Sequence, residues 1–285
     1  MKVFNKKPIK SPNKQKGVAI VLAMSVVAFA ALAAMAMVVS QSTWSRHLEL
    51  GNNHTQALLI SRGGLDWARA VLSDDSRAGN VDYLAEPWAI KLPSIPVENG
   101  SLSGDIEDQQ GKFNLNNIIK DGKSNPSQLA ILQRLLTTLA LPPELADSLT
   151  AHGSLRDVAE LVLVSGFDNS VRARLRPYVT ALPRFTAVNV NTATPEVISA
   201  IVEGLSLDDA RGITAQRERS FFRTPADFFN LLPRNLVVAN ENISVNSNYF
   251  IVSMVSNIHE AQAKGSALLA RNGTAWPTII WSRFQ

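Results

Sequence analysis

Val18 to Val39 reads VAIVLAMSVVAFAALAAMAMVV, with Ser25 as its one polar side chain. As a helix rising about 1.5 Å per residue, it would extend roughly 33 Å, enough to cross the hydrocarbon core of a bilayer. Six lysines (Lys2, Lys6, Lys7, Lys10, Lys14, Lys16) and no acid precede it. Basic flanks stay on the cytoplasmic side, so the bulk of the chain is expected across the membrane. The chain has 28 Lys and Arg against 24 Asp and Glu; without the six head lysines, 22 cations face the same 24 acids. The net charge of +4 therefore belongs to a short head and not to the body. A nucleic-acid-binding domain concentrates positive charge on its folded part.

Three readings fit the N-terminal segment: a plain bitopic anchor, a cleaved secretory signal, and a class III leader cut before the apolar run. A secretory signal has a shorter apolar stretch ending in a small-residue cleavage site. Lys16–Gly17–Val18, at the polar–apolar junction, is the pattern of the third reading. Glycine there lets a peptidase approach an extended backbone at the membrane face. The cut would fall between Gly17 and Val18. Leu22 is then the fifth residue of the mature chain, where major pilin-like subunits carry glutamate. A carboxylate in lipid is costly unless paired. Leu22 offers no such pairing, and a subunit placed first, at a tip, has no need of one. The helix is expected to continue to about Leu72 through Trp44, Leu48, Leu58, Leu65, Ala68 and Leu72, a core-facing stripe weakened locally at Gly63–Gly64.

Past residue 74 the pattern changes. SLSGDIEDQQGKFNLN (Ser101–Asn116) reads as a strand, a turn near Gln110–Gly111 and a second strand. Asp105, Glu107 and Asp108 need only strand alternation to explain them, not a cation site. Residues 118–244 read as mostly helical. Leu129, Leu132, Leu136 and Leu139 form one face, and Pro142–Pro143 stops that helix. Ser154 reads as an N-cap with Asp157 as its capping-box acid, Val158, Leu161 and Val162 facing inward, and Gly166 as the stop. A second unit repeats this: Thr194 as cap, Pro195 at the first helical position, Val197, Ile198, Ile201 and Val202 inward, and Gly204 as the stop. Val164–Ser165–Gly166–Phe167 and Val202–Glu203–Gly204–Leu205 thus resemble helix-hairpin-helix turns. In DNA-binding versions such hairpins hold a phosphate. Glu203 would repel one, although Arg172, Arg174 and Arg176 follow the first hairpin. Strands return after Asn242, at Tyr249–Val255, Ser266–Leu269 and within Trp276–Phe284, with Asn272–Gly273 as a hairpin turn.

The pattern predicts an α+β fold. A long, pilin-like N-terminal helix packs on an antiparallel sheet, and a large all-α domain with helix-hairpin-helix-like units is inserted. The expected divisions are a leader (1–17), a transmembrane and extended helix (18–73), a first β region (74–117), the helical insertion (118–244) and a second β region (245–285). The chain has no cysteine, which excludes thiolate metal sites and a thiol nucleophile. His47, His54, His152 and His259 are scattered, and no zincin, nucleophile-elbow, P-loop or dinucleotide motif is present. The sequence supplies no catalytic site and no reason to expect an enzyme.

KGVAIVLAM (16–24), DQQGKFNLN (108–116), SLRDVAELVLVSGF (154–167), RPYVTALP (176–183), NVNTATPEVISAI (189–201) and NYFIVSMV (248–255) together resemble the K subunit of type II secretion systems, the GspK family of minor pseudopilins. The resemblance implies cleavage by prepilin peptidase after Gly17 and N-methylation of Val18. It implies partnership with the I and J minor pseudopilins, with the inner-membrane assembly platform, and with secreted substrate or the secretin. It places the protein in the bacterial inner membrane as a single-pass chain with a periplasmic body, at the pseudopilus tip. It implies no cofactor. Many members hold calcium through an Asp-rich segment before the region equivalent to Ser154. Here that stretch is SLTAHG (Ser148–Gly153), which lacks a carboxylate, so no metal site is carried over. A minor pilin of a type IV pilus and a membrane-anchored helix-hairpin-helix DNA-binding protein are the alternatives.

Overall fold

The computed structural model describes residues 16–285; the head lysines before Lys16, and with them most of the expected leader, lie outside the described residues. The chain falls into two compact units, one ending at Thr55 and the other comprising Gln56–Gln285. A single helix, α1 (Lys16–Ala78), contributes to both. It runs six residues past Leu72, ending at Ala78, because the segment beyond Leu72 still packs through Ser73 and Asp75.

In the first unit the side chains from Val18 to Val39 are exposed. The Ser25 hydroxyl donates to the Val21 carbonyl (2.9 Å), which removes the one polar group of the run from any need for water. Trp44 and Leu48, expected to face a core, are exposed as well. The helical stripe is a core stripe only in the second unit.

In that unit Leu65, Ala68 and Leu72 lie on one face of α1, three and four residues apart. They pack on a five-stranded antiparallel sheet built from β1 (Leu92–Val97), β2 (Gly100–Asp108), β9 (Tyr249–Ile258), β10 (Ala261–Ala270) and β11 (Thr278–Phe284), in the order β1-β2-β9-β10-β11. Helix α1 is continuous through Gly63–Gly64, and at Gly64 it comes close to the sheet. A Cβ there would stand 2.9 Å from the Met254 sulfur and 3.2 Å from a Leu102 methyl. The Ser61 and Ser256 hydroxyls meet at 2.8 Å beside it, and Ser256 donates to the Ala57 carbonyl.

β2 and β9 pair from Gly100↔Ile258 to Asp108↔Phe250, so the central sheet pairing closes over some 140 residues of intervening chain. That intervening chain is the helical block. It enters through β3 (Phe113–Asn114), a turn of 3₁₀ helix, and a small hairpin of β4 (Ile119–Lys120) and β5 (Lys123–Ser124). The expected second strand near Asn116 is only two residues long. It pairs in parallel with β6 (Val179–Thr180) instead of folding back on β2, because the Asn114 side chain is held by the Leu182 N–H and the Arg184 carbonyl beyond β6.

Helices α2 (Pro126–Thr138), α3 (Leu145–His152) and α4 (Asn169–Leu175) precede β6. β7 (Val188–Asn189), α5 (Pro195–Ile201), α6 (Leu207–Arg219), α7 (Pro225–Phe229) and β8 (Ile243–Ser244) follow it. β7 and β8 pair in parallel. The core is a continuous cluster including Phe113, Leu132, Leu136, Leu161, Ile198 and Phe228. α2 stops at Thr138, before the prolines, as Ala140 turns left-handed (φ 50°).

The first hairpin unit differs from its expected form. Asp157, not Ser154, is the cap; it accepts from the Ala159 N–H at 2.7 Å, and Val158–Leu163 is 3₁₀ and not α. The tighter winding turns Val162 outward, leaving it 59% exposed, while Leu161 is buried. The second unit follows expectation: Thr194 caps α5, and Val197, Ile198, Ile201 and Val202 are buried. Both hairpins make the same turn, Phe167 N–H to Val164 O and Leu205 N–H to Val202 O, each 3.2 Å, with left-handed Gly166 and Gly204. Both press on protein. A Cβ on Gly166 would lie 2.7 Å from Leu145, and one on Gly204 3.1 Å from Leu236. Glu203 points to Arg134 at 3.8 Å.

Candidate functional site

Two regions carry this chain's chemistry. The first is the N-terminal helical segment. Gly17 lies in its first turn, where nothing among the described residues comes within 4 Å of the place of a Cβ, and Val18 and Leu22 are exposed, at 68% and 66%. Side chains this apolar and this exposed require lipid or other helices around them. Leu22 brings no charge to the surface.

The second is a buried polar hub where α1, the sheet and the helical block meet. The Arg271 guanidinium, at the end of β10, donates to Asp75 Oδ2 (2.7 Å), to both Asp82 oxygens (2.5 Å each) and to the Ser247 carbonyl (2.7 Å). It also lies over the Phe250 ring at 4.8 Å. Asp82 Oδ2 accepts from the Ser247 N–H (2.7 Å). Asp108, at the end of β2, accepts from the Gln110 N–H, Asn189 Nδ2, the Ser247 hydroxyl and the Thr192 hydroxyl, at 2.7, 3.1, 2.7 and 2.5 Å. Asn189 Nδ2 also donates to the Asp82 carbonyl. Five chain segments far apart in sequence are joined here through groups that are nearly all buried.

The motif DQQGKFNLN extends the same joint. Gln110 donates to the Ala187 carbonyl and accepts from the Asn248 N–H. Asn114 accepts from the Leu182 N–H and donates to the Arg184 carbonyl. Asn116 bonds Leu155 in both directions (2.8 Å each) and donates to the Leu182 carbonyl. In NVNTATP, Asn191 pairs with the Phe222 backbone in both directions, and Arg217 donates to the Val190 and Ala193 carbonyls. These amides substitute for backbone partners that irregular segments cannot give one another.

Asp105, Glu107 and Asp108 do not converge. Asp108 serves the hub and Glu107 pairs with Lys112 at 2.8 Å. The carboxylates that do gather among the described residues are Asp75, Asp82 and Glu86, with ligand oxygens within 4.8 Å of one another. Arg271 already supplies the cation to Asp75 and Asp82. Burial raises the Glu86 pKa to about 7, against the opposing N–H of Tyr83 and the Trp88 indole. Burial likewise raises Asp108 to about 6, restrained by Thr192, Ser247 and Gln110. Burial and neighbouring Asp82 raise Asp75 despite Arg271. For Arg271, burial alone would lower the pKa; Asp82 and Asp75 outweigh it and raise it.

Carboxylates with raised folded-state pKa values bind protons more readily folded than unfolded. Their ionised forms cost stability, so stability falls as pH rises from the unfolded values near 4 through the folded values near 6 and 7, and levels off above. The melting temperature is expected to be at least about 3 °C higher at about pH 5 than at about pH 7.5. A flat or rising profile across that window would contradict the electrostatics of the hub.

Sequence reading singled out Gly17, Val18 and Leu22 but missed Arg271, Asp82, Asn189 and Asn191. The available signal was the density of Asn and Gln within segments otherwise fit for a core.

The sequence models described as "Type II secretion system (T2SS), protein K" match residues 148–184 and 188–246. These two stretches hold both hairpin units and the Asn189–Asn191 latch. The type II secretion system protein K of Pseudomonas aeruginosa is 31% identical over 284 aligned residues, covering 85% of either chain. That of Klebsiella pneumoniae is 26% identical, covering 94% of this chain and 96% of the relative. A chain of the GspK-GspI-GspJ complex of the enterotoxigenic Escherichia coli type 2 secretion system superposes with a TM-score of 0.71. It is 22% identical, with 84% of this chain and 99% of that one covered. That likeness establishes the fold; the 31% identity to the Pseudomonas protein over 85% of each chain establishes kinship. The chain belongs to the type II secretion system protein K family.

Proposed function

We propose that this minor pseudopilin is processed between Gly17 and Val18, methylated at Val18 and placed first in the pseudopilus, joined to I- and J-type minor pseudopilins. The observation that carries this reading is the pairing of an exposed apolar helix with a body whose sheet is interrupted by a large helical block. The helix can pack among other such helices in a membrane or a fibre. The block's bulk favours a position where nothing must stack above it. Leu22 fits the same place, since a first subunit has no preceding amino terminus to neutralise. The I and J partners are carried over from the related complex. The inner membrane, with the body in the periplasm, follows from the lysines ahead of the apolar run.

The reading is tested in a host whose own K subunit is deleted. A plasmid copy of this chain with its cognate system is expected to restore export of a secreted enzyme. Accumulation of that enzyme in the periplasm despite normal levels of the chain would contradict it.

No metal is part of this reading. Ser148–Gly153 forms the end of α3 and its left-handed Gly153, and offers no carboxylate. Chelation by EDTA is therefore expected to leave the melting temperature unchanged to within about 1 °C; calcium needs about six to eight oxygens, several of them anionic. A calcium-dependent rise of several degrees would overturn this point.

A further inference from the structure

The sheet has a second face, turned away from α1. In β9 the alternation that buries Val252 and Met254 under the helix points Ile251 and Ser253 to this other side. Between that face and the 3₁₀ turn and α4 of the helical block lies an open cleft of about 710 Å³. The space is within the range of sites that hold ligands, roughly 300–1,000 Å³.

Its walls are of two kinds. Ile251, Leu268 and Trp281 form an apolar floor on the sheet, and Val162, turned outward by the 3₁₀ winding, stands opposite them. Around them the charge is unbalanced. Lys112 is paired with Glu107 (2.8 Å) and Arg283 with Asp157 (2.9 Å), which uses both carboxylate side chains of the lining. Arg172, Arg176 and Lys264 line the same cleft, and none of them enters a salt bridge among the described residues. Arg172 is held toward α4 by the Phe167 carbonyl and the Asn169 side chain, while Arg176 and Lys264 are exposed.

We propose that this cleft binds an extended, acidic segment of a partner polypeptide. Alternating apolar side chains of that segment would sit on Ile251, Leu268 and Trp281, and its carboxylates would meet Arg172, Arg176 and Lys264. Charge complementarity selects this occupant. The lysine-rich head of the chain itself has the wrong sign. A nucleic acid offers no aliphatic side chains to the floor. The proposal is independent of the processing and tip-assembly reading.

Its test uses the full-length chain in detergent micelles. The probe is a fluorescein-labelled peptide alternating Glu and Val, followed by anisotropy. The same peptide with Lys for Glu, and an unlabelled oligodeoxythymidine as competitor, serve as comparisons. Saturable binding of the Glu peptide is expected, weakening with salt and absent for the Lys peptide. The triple variant R172E/R176E/K264E is expected to bind at least about tenfold more weakly. Trp281→Ser is expected to weaken binding while leaving its salt dependence in place. The three cations make no salt bridge among the described residues, but Arg172 loses its bonds to the Phe167 carbonyl and the Asn169 side chain, so binding is read only if the triple variant melts close to the wild type. Val162→Glu, on an already exposed position, serves as a second variant if it does not. No saturable binding, equal binding of the Lys peptide, indifference to both variants, or displacement by the oligonucleotide would each overturn the proposal. Variants that lose the peptide but still co-purify with I- and J-type subunits support the cleft as a separate site. A chain that binds the peptide but fails to assemble would contradict the tip reading and leave the cleft standing.

Discussion

Arg271→Met is expected to destabilise the fold by about 3–5 kcal/mol, read as the change in urea unfolding free energy of the full chain. The guanidinium is the cation facing Asp75 and Asp82, both largely buried, and it also caps the Ser247 carbonyl. Methionine fills similar volume, so the cost reports charge and hydrogen bonds rather than a cavity. Removing one partner of a buried ion group leaves the other charges without compensation, which is costlier than replacing the whole group by apolar residues. Lysine should restore only part of the loss. Its single ammonium cannot reach two carboxylates and a carbonyl from one planar fork. In the Arg271→Met chain, stability should also fall more steeply as pH rises through the acidic range, because Asp75, already raised by burial, would lose the guanidinium that lowers it. A loss below about 1 kcal/mol would mean that water reaches the hub and that the joint between sheet and helical block lies elsewhere.

Gly17→Val is expected to abolish the shortened species seen by intact mass when prepilin peptidase is co-expressed. The wild type should lose residues 1–17 and gain one methyl group on Val18. Among the described residues, nothing outside its own helix turn lies within 4 Å of a Cβ at position 17, so the substitution does not disturb the folded body. The effect instead lies in the approach of the peptidase to the Gly17–Val18 bond, which lies in the first turn of α1 and which a β-branched side chain obstructs. Cleaved product should fall by at least about tenfold, which is about 1.4 kcal/mol in the barrier. Export should fail with it, although the uncut chain still inserts. Equal processing of Gly17→Val and wild type would remove the Gly17–Val18 assignment and leave Val18–Val39 as a permanent anchor.

The parts of the fold that were legible in the sequence share one property: a single physical preference decides them. The apolar run from Val18 to Val39 admits few environments. Thr194–Pro195 followed by Val197, Ile198, Ile201 and Val202 is a cap and a face with no competing signal, and the helix forms there as expected. Asn272–Gly273 marks the connection between β10 and β11, where Gly273 takes a positive φ. Where tertiary contacts arbitrate, the local pattern misleads. SLRDVAELV satisfies a capping box at Ser154, yet Asn116 binds the Leu155 backbone in both directions and holds that segment extended, so the winding starts only after Asp157. Gly63–Gly64 lowers helix propensity, yet Gly64 is the residue that lets α1 approach Met254. The hub was illegible for a plainer reason. Arg271 and Asp82 are 189 residues apart, and neither has a sequence neighbourhood that marks it as buried. The cleft on the second sheet face depends on how the helical block returns to the sheet, which no local pattern encodes.

The central claim is that this chain is an assembling K-type minor pseudopilin. It is tested most directly by co-expressing the full chain with its cognate I- and J-type subunits and prepilin peptidase, and determining the native mass of the detergent-solubilised species. The account predicts one complex containing all three subunits, with this chain beginning at methylated Val18. A cleaved and folded chain that elutes alone beside an I–J species would contradict it.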